Sequence, residues 1–226
     1  MQFKWGWAFL CGVFFSGCAV NRPIEYSLSS IQKEETPRPF SLSVLPFSDS
    51  RRDDSASQIL FSHGSDAEIN GEPYCINSEK YYRKEPPSIQ VSKLIAEHFA
   101  AKNAFKTVYY GKNDSADYVL SGNLKSLIGQ QLQAPTGAEA VQSQWGMAGS
   151  TLITSRSPVN GVYVIRFTDI QVSDKQGNVI KKFPDVILRD SSMEKVDDYC
   201  VSVYWNVKAS LKVAIDSLVN EVYSGW

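Results

Sequence analysis

The residues of this chain that could do chemistry are few. Four cysteines stand at Cys11, Cys18, Cys75 and Cys200, none in a CxxC spacing, and the two histidines are His63 and His98. A thiolate can be a nucleophile, a metal ligand or half of a disulfide. His63-Gly-Ser-Asp66 sets triad residue types side by side. A real Ser-His-Asp site is assembled in space from separate elements, so this stretch reads as a turn. His98 falls at the margin of a helical apolar stripe, where a core or boundary role is expected. The pairs Asp53-Asp54 and Asp197-Asp198 are adjacent, and adjacent side chains point apart on most backbones. A calcium loop needs alternating oxygens around a glycine, which neither pair supplies. They read as solvated charges or as helix N-terminal residues facing the dipole. Motifs of the GxSxG, HExxH, GxxxxGK[ST] and GxGxxG types are missing from the sequence. No catalytic residue, cofactor or metal ligand is therefore assigned, and a hydrolase using His63 or His98 stays a minor alternative.

Cys18 has the most informative surroundings. Lys4 precedes an apolar run from Trp5 to Phe15. That run is too short for a spanning helix, which needs about 20 residues, and suits the apolar region of a secretory signal, about 7–15 residues long. Small residues, Ser16 and Gly17, come immediately before the cysteine. Phe15-Ser16-Gly17-Cys18 resembles the lipobox of bacterial lipoproteins, with Phe15 where that family prefers Leu. The resemblance implies removal of residues 1–17, diacylation of the Cys18 thiol and acylation of the new amino terminus, with palmitate-type chains. Each buried methylene contributes about 0.8 kcal/mol and one chain holds only marginally; several chains on one residue make a stable anchor. Ala19 in place of Asp favours the outer membrane, and the body would face the periplasm.

Cys75 and Cys200 then remain as a pair in an oxidising compartment. A disulfide is expected, stabilising the fold by about 4 kcal/mol in the chain-entropy picture; a metal pair or a catalytic thiol are the alternatives. Lys and Arg number 23 against 24 Asp and Glu, a net charge of −1, and no basic block is present. This balance argues against nucleic acid as a partner. Membrane contact through Cys18, protein partners in the envelope and a bound lipid are the partners considered.

Periodicity places the remaining elements. Residues 18–39, polar and carrying three prolines, are expected to form a lipidated terminus and flexible tether. Residues 40–226 are expected to form one periplasmic domain, with insertions at 48–87 and 129–158. A strand at 41–47 is limited by Pro46 to an edge or a strand end. A helix follows Pro86-Pro87, with Ser88 as N-cap and Val91, Leu94, Ile95, His98 and Phe99 on its buried side. Strands are expected at 105–110 and 117–128, the latter with Tyr118, Leu120, Leu124 and Ile128 on its dry face. Residues 159–172 and 179–188 form a hairpin around a turn in which Gly177 and Asn178 suit positive φ. Ser191-Ser-Met-Glu194 reads as a capping box, opening a helix with Tyr204, Val207, Leu211, Ile215, Leu218 and Val222 inward and Cys200 in its early turns. The fold class is α+β: a mainly antiparallel sheet of about five strands with two helices on one face, in the order β-α-β-β-β-β-α.

This order, with "SVLPFSDSR", "FKTVYY", "ADYVLSGNL" and "DKQGNVI", resembles a broad group of envelope lipoprotein domains. The group includes the N-terminal domain of the Tol translocation protein, the curli secretion lipoprotein, the lipopolysaccharide-assembly lipoprotein and the auxiliary lipoproteins of lipid-transporting ABC systems. The resemblance spans residues 40–222 outside the 48–87 insertion and implies a scaffold, plug or lipid-handling accessory. Its motifs report a fold and carry no functional residue across. Residues 129–158 hold only Glu139 and Arg156 as charges. Val141, Trp145, Met147 and Ile153 share one parity there. A flap packed on the domain, a contact surface for protein or lipid, and a pore-forming hairpin needing about 9–11 alternating residues are the three readings. The expected function is that of a non-catalytic outer-membrane lipoprotein supporting an envelope assembly, secretion or transport complex. The alternative is a lipid or apolar-ligand binding module.

Overall fold

In the computed structural model the described residues are 24–51, 72–76, 85–133, 159–194 and 201–226. They contain β1 (Arg38–Val44), β2 (Ser48–Asp49), β3 (Glu72–Ile76), α1 (Pro87–Ala101), β4 (Phe105–Tyr110), β5 (Tyr118–Gln133), β6 (Val159–Asp174), β7 (Val179–Lys182), β8 (Val186–Glu194) and α2 (Val201–Ser224). The class is α+β, as expected. Among the described residues the sheet has eight strands rather than about five, because β2 and β3 from the 48–87 stretch both join β5, and because the arm after the 174–178 turn is two strands.

The sheet is mixed. β1 lies inside it, parallel to both β4 and β5, and β2 is also parallel to β5. β5 and β6 form the antiparallel spine, with arms of 16 residues each. β7 and β8 pair in succession with β6. The break between them falls at Phe183-Pro184-Asp185, where proline has no N–H to give to a ladder. It faces Ile170, whose carbonyl accepts the Phe183 N–H at 2.8 Å. Pro46 lies beyond the end of β1, the strand-end placement.

Two bulges decide which side chains enter the core. Between Ser121 and Asn123 of β5, β6 advances by one residue more, and Asp169 takes a left-handed φ of 53°. Between Leu124 and Ser126 the extra residue is Lys125 on β5. An extra residue inverts the in–out alternation downstream. The core positions accordingly change from Leu120 and Leu124 to Leu127 on β5, and from Tyr163, Ile165 and Phe167 to Ile170 and Val172 on β6. Ile128, expected on the dry face with Leu124, is buried outside that core because Lys125 shifts the parity.

Both helices lie on the sheet and touch each other, α1 over β1 and β4, α2 over β5, β6 and β8. Val91, Leu94, Ile95, His98 and Phe99 are buried on α1; Val207, Leu211, Ile215, Leu218 and Val222 are buried on α2. The caps differ from expectation. Pro86 is the N-cap of α1 and Pro87 opens it, since a proline at the first helical position loses no hydrogen bond. Ser88 sits inside the helix, its carbonyl accepting the Ser92 hydroxyl at 2.6 Å. Ser191–Glu194, read as a capping box, instead ends β8, paired with Val159–Val162 of β6. In the 174–178 turn Gly177 has φ of 87°, whereas Asn178 keeps negative φ and donates its N–H to Asp174 Oδ1 at 2.8 Å.

Candidate functional site

The first described residues do not hang off the domain. Residues 24–37 form a strap laid across α1 and α2, in step with both. Ile24 is 5 % exposed and belongs to the hydrophobic core. Its N–H donates to Gln90 Oε1 at 2.9 Å, and Gln90 Nε2 donates to the Glu85 carbonyl at 2.7 Å. A buried amide held at both ends in this way is a fixed acceptor. Further along, the Glu34 N–H donates to the Lys102 carbonyl at 2.7 Å, and the two side chains pair at 2.8 Å. The Tyr223 hydroxyl of α2 donates to the Thr36 carbonyl at 3.4 Å. The tether expected over 18–39 is thus seated from Ile24 onward.

The centre of the strap is pinned by a chain of polar groups. Tyr26 Oη lies 3.1 Å from His98 Nδ1, His98 Nε2 lies 2.6 Å from Asp216 Oδ1, and Lys212 Nζ lies 3.1 Å from Asp216 Oδ2. His98 is 1 % exposed. Burial pushes its imidazole below the ordinary 6.5; the Asp216 carboxylate opposes this, while Lys212 and Lys102 reinforce it. Burial prevails because Asp216 is part-exposed and shares its charge with Lys212. With the ring neutral, one arrangement satisfies every atom: Tyr26 O–H donates to Nδ1, Nε2–H donates to Asp216, and Lys212 donates to Asp216. Burial, with the charges of Asp216 and Glu97, raises the Tyr26 phenol far above its ordinary range, so it stays a donor. Both nitrogens of the ring are engaged and it has no exposed face. The arrangement fastens strap to helices and leaves no place beside the imidazole for a substrate.

Beside this clasp is a cleft of about 460 Å³ between strap and helix, lined by Glu25, Tyr26, Ser27, Trp205, Lys208, Ala209 and Lys212. Lys208 Nζ stands 4.6 Å over the Trp205 ring. Burial pulls the Lys208 ammonium below its ordinary value, and Glu25 across the cleft partly opposes this. Trp205 is 58 % exposed and Val213 50 %.

Of the residues singled out in the sequence, Cys18, Cys200, His63, Val141, Trp145, Met147, Ile153 and both Asp-Asp pairs lie outside the described residues. Cys75 is on β3, its backbone opposite Gln131 of β5. Among the described residues no group of three or more His, Cys, Asp or Glu is placed to hold a metal, and no helix is long and apolar enough to cross a membrane. The strap residues Ile24 and Tyr26, and their partners Gln90 and Asp216, escaped sequence reasoning. The i,i+4 pair Lys212–Asp216 was the one local signal.

No family model and no curated protein matches the sequence. Solved structures align with it at low similarity. A Xanthomonas campestris protein of family DUF330 aligns over 85% of this chain and 87% of its own, at 12% identity and a TM-score of 0.40. A minor lipoprotein from Acinetobacter baumannii aligns over 82% and 93%, at 11% identity and a TM-score of 0.39. The PelC dodecamer from Paraburkholderia phytofirmans aligns over 81% and 92%, at 11% identity and a TM-score of 0.31. Likeness at this level assigns neither family nor role.

Proposed function

We propose that this chain is a lipid-anchored lipoprotein of the bacterial outer membrane, facing the periplasm, that supports an envelope assembly, secretion or transport complex without catalysing a reaction. The observation that carries the proposal joins sequence to fold. The lipobox cysteine, Cys18, precedes by six residues a backbone position, Ile24, that is buried and hydrogen-bonded into the domain. Six residues span at most about 20 Å. A lipidated Cys18 would therefore hold the folded body against the bilayer, rather than on the long tether that residues 18–39 suggest.

Two further features support a scaffold. The one histidine among the described residues is consumed in the strap clasp. The space between helices and sheet, where an apolar ligand would sit, is filled by Leu42, Ile95, Phe99, Leu124, Phe167 and Leu211, each 0 % exposed.

The test is fatty-acid labelling and membrane fractionation of the parent and Cys18→Ser. The parent should incorporate label and sediment with outer membranes. Cys18→Ser should remain unlabelled and lose its membrane association. Equal labelling and sedimentation of the two would reject the proposal. Partners would then be sought by co-purification from gently solubilised envelopes.

A further inference from the structure

The outward ridge of α2 carries Trp205, Ala209, Val213 and Ser217, four residues at a spacing of four, all exposed. A solvent-facing helix ridge ordinarily carries charge. This one has no formal charge over its length, and its two large members are at least half exposed. Lysines flank it: Lys208 lies over the Trp205 indole, and Lys212 reaches Asp216. An indole with an ammonium beside it combines an apolar body with polar tips, the combination that favours the headgroup layer of a membrane. An apolar ridge bordered by lysines is the pattern of a helix lying in that layer.

The position of the ridge relative to the anchor selects the occupant. Glu25, Tyr26 and Ser27 of the strap form one wall of the cleft whose other wall is Trp205, Lys208, Ala209 and Lys212. The seven residues from Cys18 to Glu25, the first residue of this wall, cannot span more than about 25 Å. The ridge thus lies at the end of the domain nearest the acyl chains.

We propose that the Trp205–Val213 ridge of α2 docks on the surface of the bilayer that holds the Cys18 acyl chains, with Trp205 at the level of the headgroups. The inference rests on the lipid anchor proposed above. It adds an orientation: α2 and the strap face the lipid, while the opposite face of the sheet, and the exposed Ile180 and Ile187, face away.

The experiment uses the full-length chain, processed and purified from the producing cells and reconstituted into phosphatidylethanolamine–phosphatidylglycerol vesicles with plain or brominated acyl chains. Fatty-acid labelling is read on the same sample. Trp205 emission is isolated as the difference between the parent and Trp205→Phe. Brominated lipid should quench this component, and plain lipid should not. Val213→Lys, an exposed change, should abolish the quenching while leaving the unfolding transition in place. A labelled protein whose Trp205 component is identical in both vesicle types overturns the orientation and leaves the anchor standing. The same holds if Ala209→Cys crosslinks to a second copy in place of quenching. Absence of label overturns the anchor, and the inference with it.

Discussion

His98 Nε2 lies 2.6 Å from Asp216 Oδ1, and the other nitrogen of the ring lies 3.1 Å from the Tyr26 hydroxyl, so one buried imidazole joins both helices to the strap. Removing a partner from such a chain leaves buried polar atoms stranded, which costs more than the bond itself contributes. Tyr26→Phe should destabilise by about 1 kcal/mol, and His98→Leu by about 2–3 kcal/mol because it strands the phenol and one carboxylate oxygen. Urea unfolding followed by circular dichroism measures both. Equal costs would mean that the strap is not held through His98.

The same residue predicts a pH dependence. Burial holds the His98 imidazole below its ordinary 6.5 in the folded chain. Below that pH the unfolded chain takes up a proton that the folded chain refuses. Stability is therefore complete above pH 6.5 and falls as the pH drops, until the folded imidazole itself titrates. Asp216→Asn removes the opposing carboxylate and deepens the loss. Proton NMR titration in a His63→Gln background reads His98 directly, and a midpoint above 6.5 would reverse the sign.

Asp117 predicts the opposite behaviour. Its Oδ2 accepts the Ser41 N–H at 2.9 Å and the Ser41 hydroxyl at 2.8 Å, and Lys175 stands 3.3 Å from Oδ1. The Ser41 bonds, aided by Lys175, hold the carboxyl down at about 2 against an ordinary 3.8. The stabilisation is present above pH 3.8 and is lost as the pH falls through about 2. Carboxyl-carbon NMR should find this midpoint, and Ser41→Ala should move it upward.

Gly122 is where packing, not backbone freedom, demands glycine. A Cβ there would lie 2.6 Å from Phe47 Cε2, and Phe47 is 3 % exposed with its ring edge-on to Phe167. The ring has no room to retreat. Gly122→Ala should destabilise by about 1–3 kcal/mol as overpacking, and Phe47→Leu in the same chain should recover part of it. A double-mutant cycle of unfolding free energies that shows simple additivity would contradict the contact.

A disulfide between Cys75 and Cys200 is also proposed. Intact-protein mass after alkylation should show both thiols blocked, and reduction should lower stability by about 4 kcal/mol. Alkylation of either cysteine without reductant would exclude the bond.

What the sequence determined by itself is whatever neighbours along the chain decide. The stripes of α1 and α2 are legible because residues three and four apart share a helix face whatever lies opposite. The 174–178 turn is legible because Asp174 and Gly177 bond within it. The likeness of Phe15–Cys18 to a lipobox is likewise read from neighbouring residues alone. Partners distant in the chain were decided only by tertiary structure. Parallel placement of β1 between β4 and β5, and recruitment of β2 and β3, depend on pairing partners that no local pattern identifies. Ser191–Glu194 has the letters of a cap, yet the ladder to β6 claims it, since a paired strand satisfies more backbone groups than a cap does. His98 was readable as a residue of the helix's buried margin. Its role came from Tyr26, 72 residues away, and from Asp216 on α2. A buried hydrogen bond is chosen by desolvation and geometry in the folded state, and neither is encoded in residues adjacent to the one that makes it.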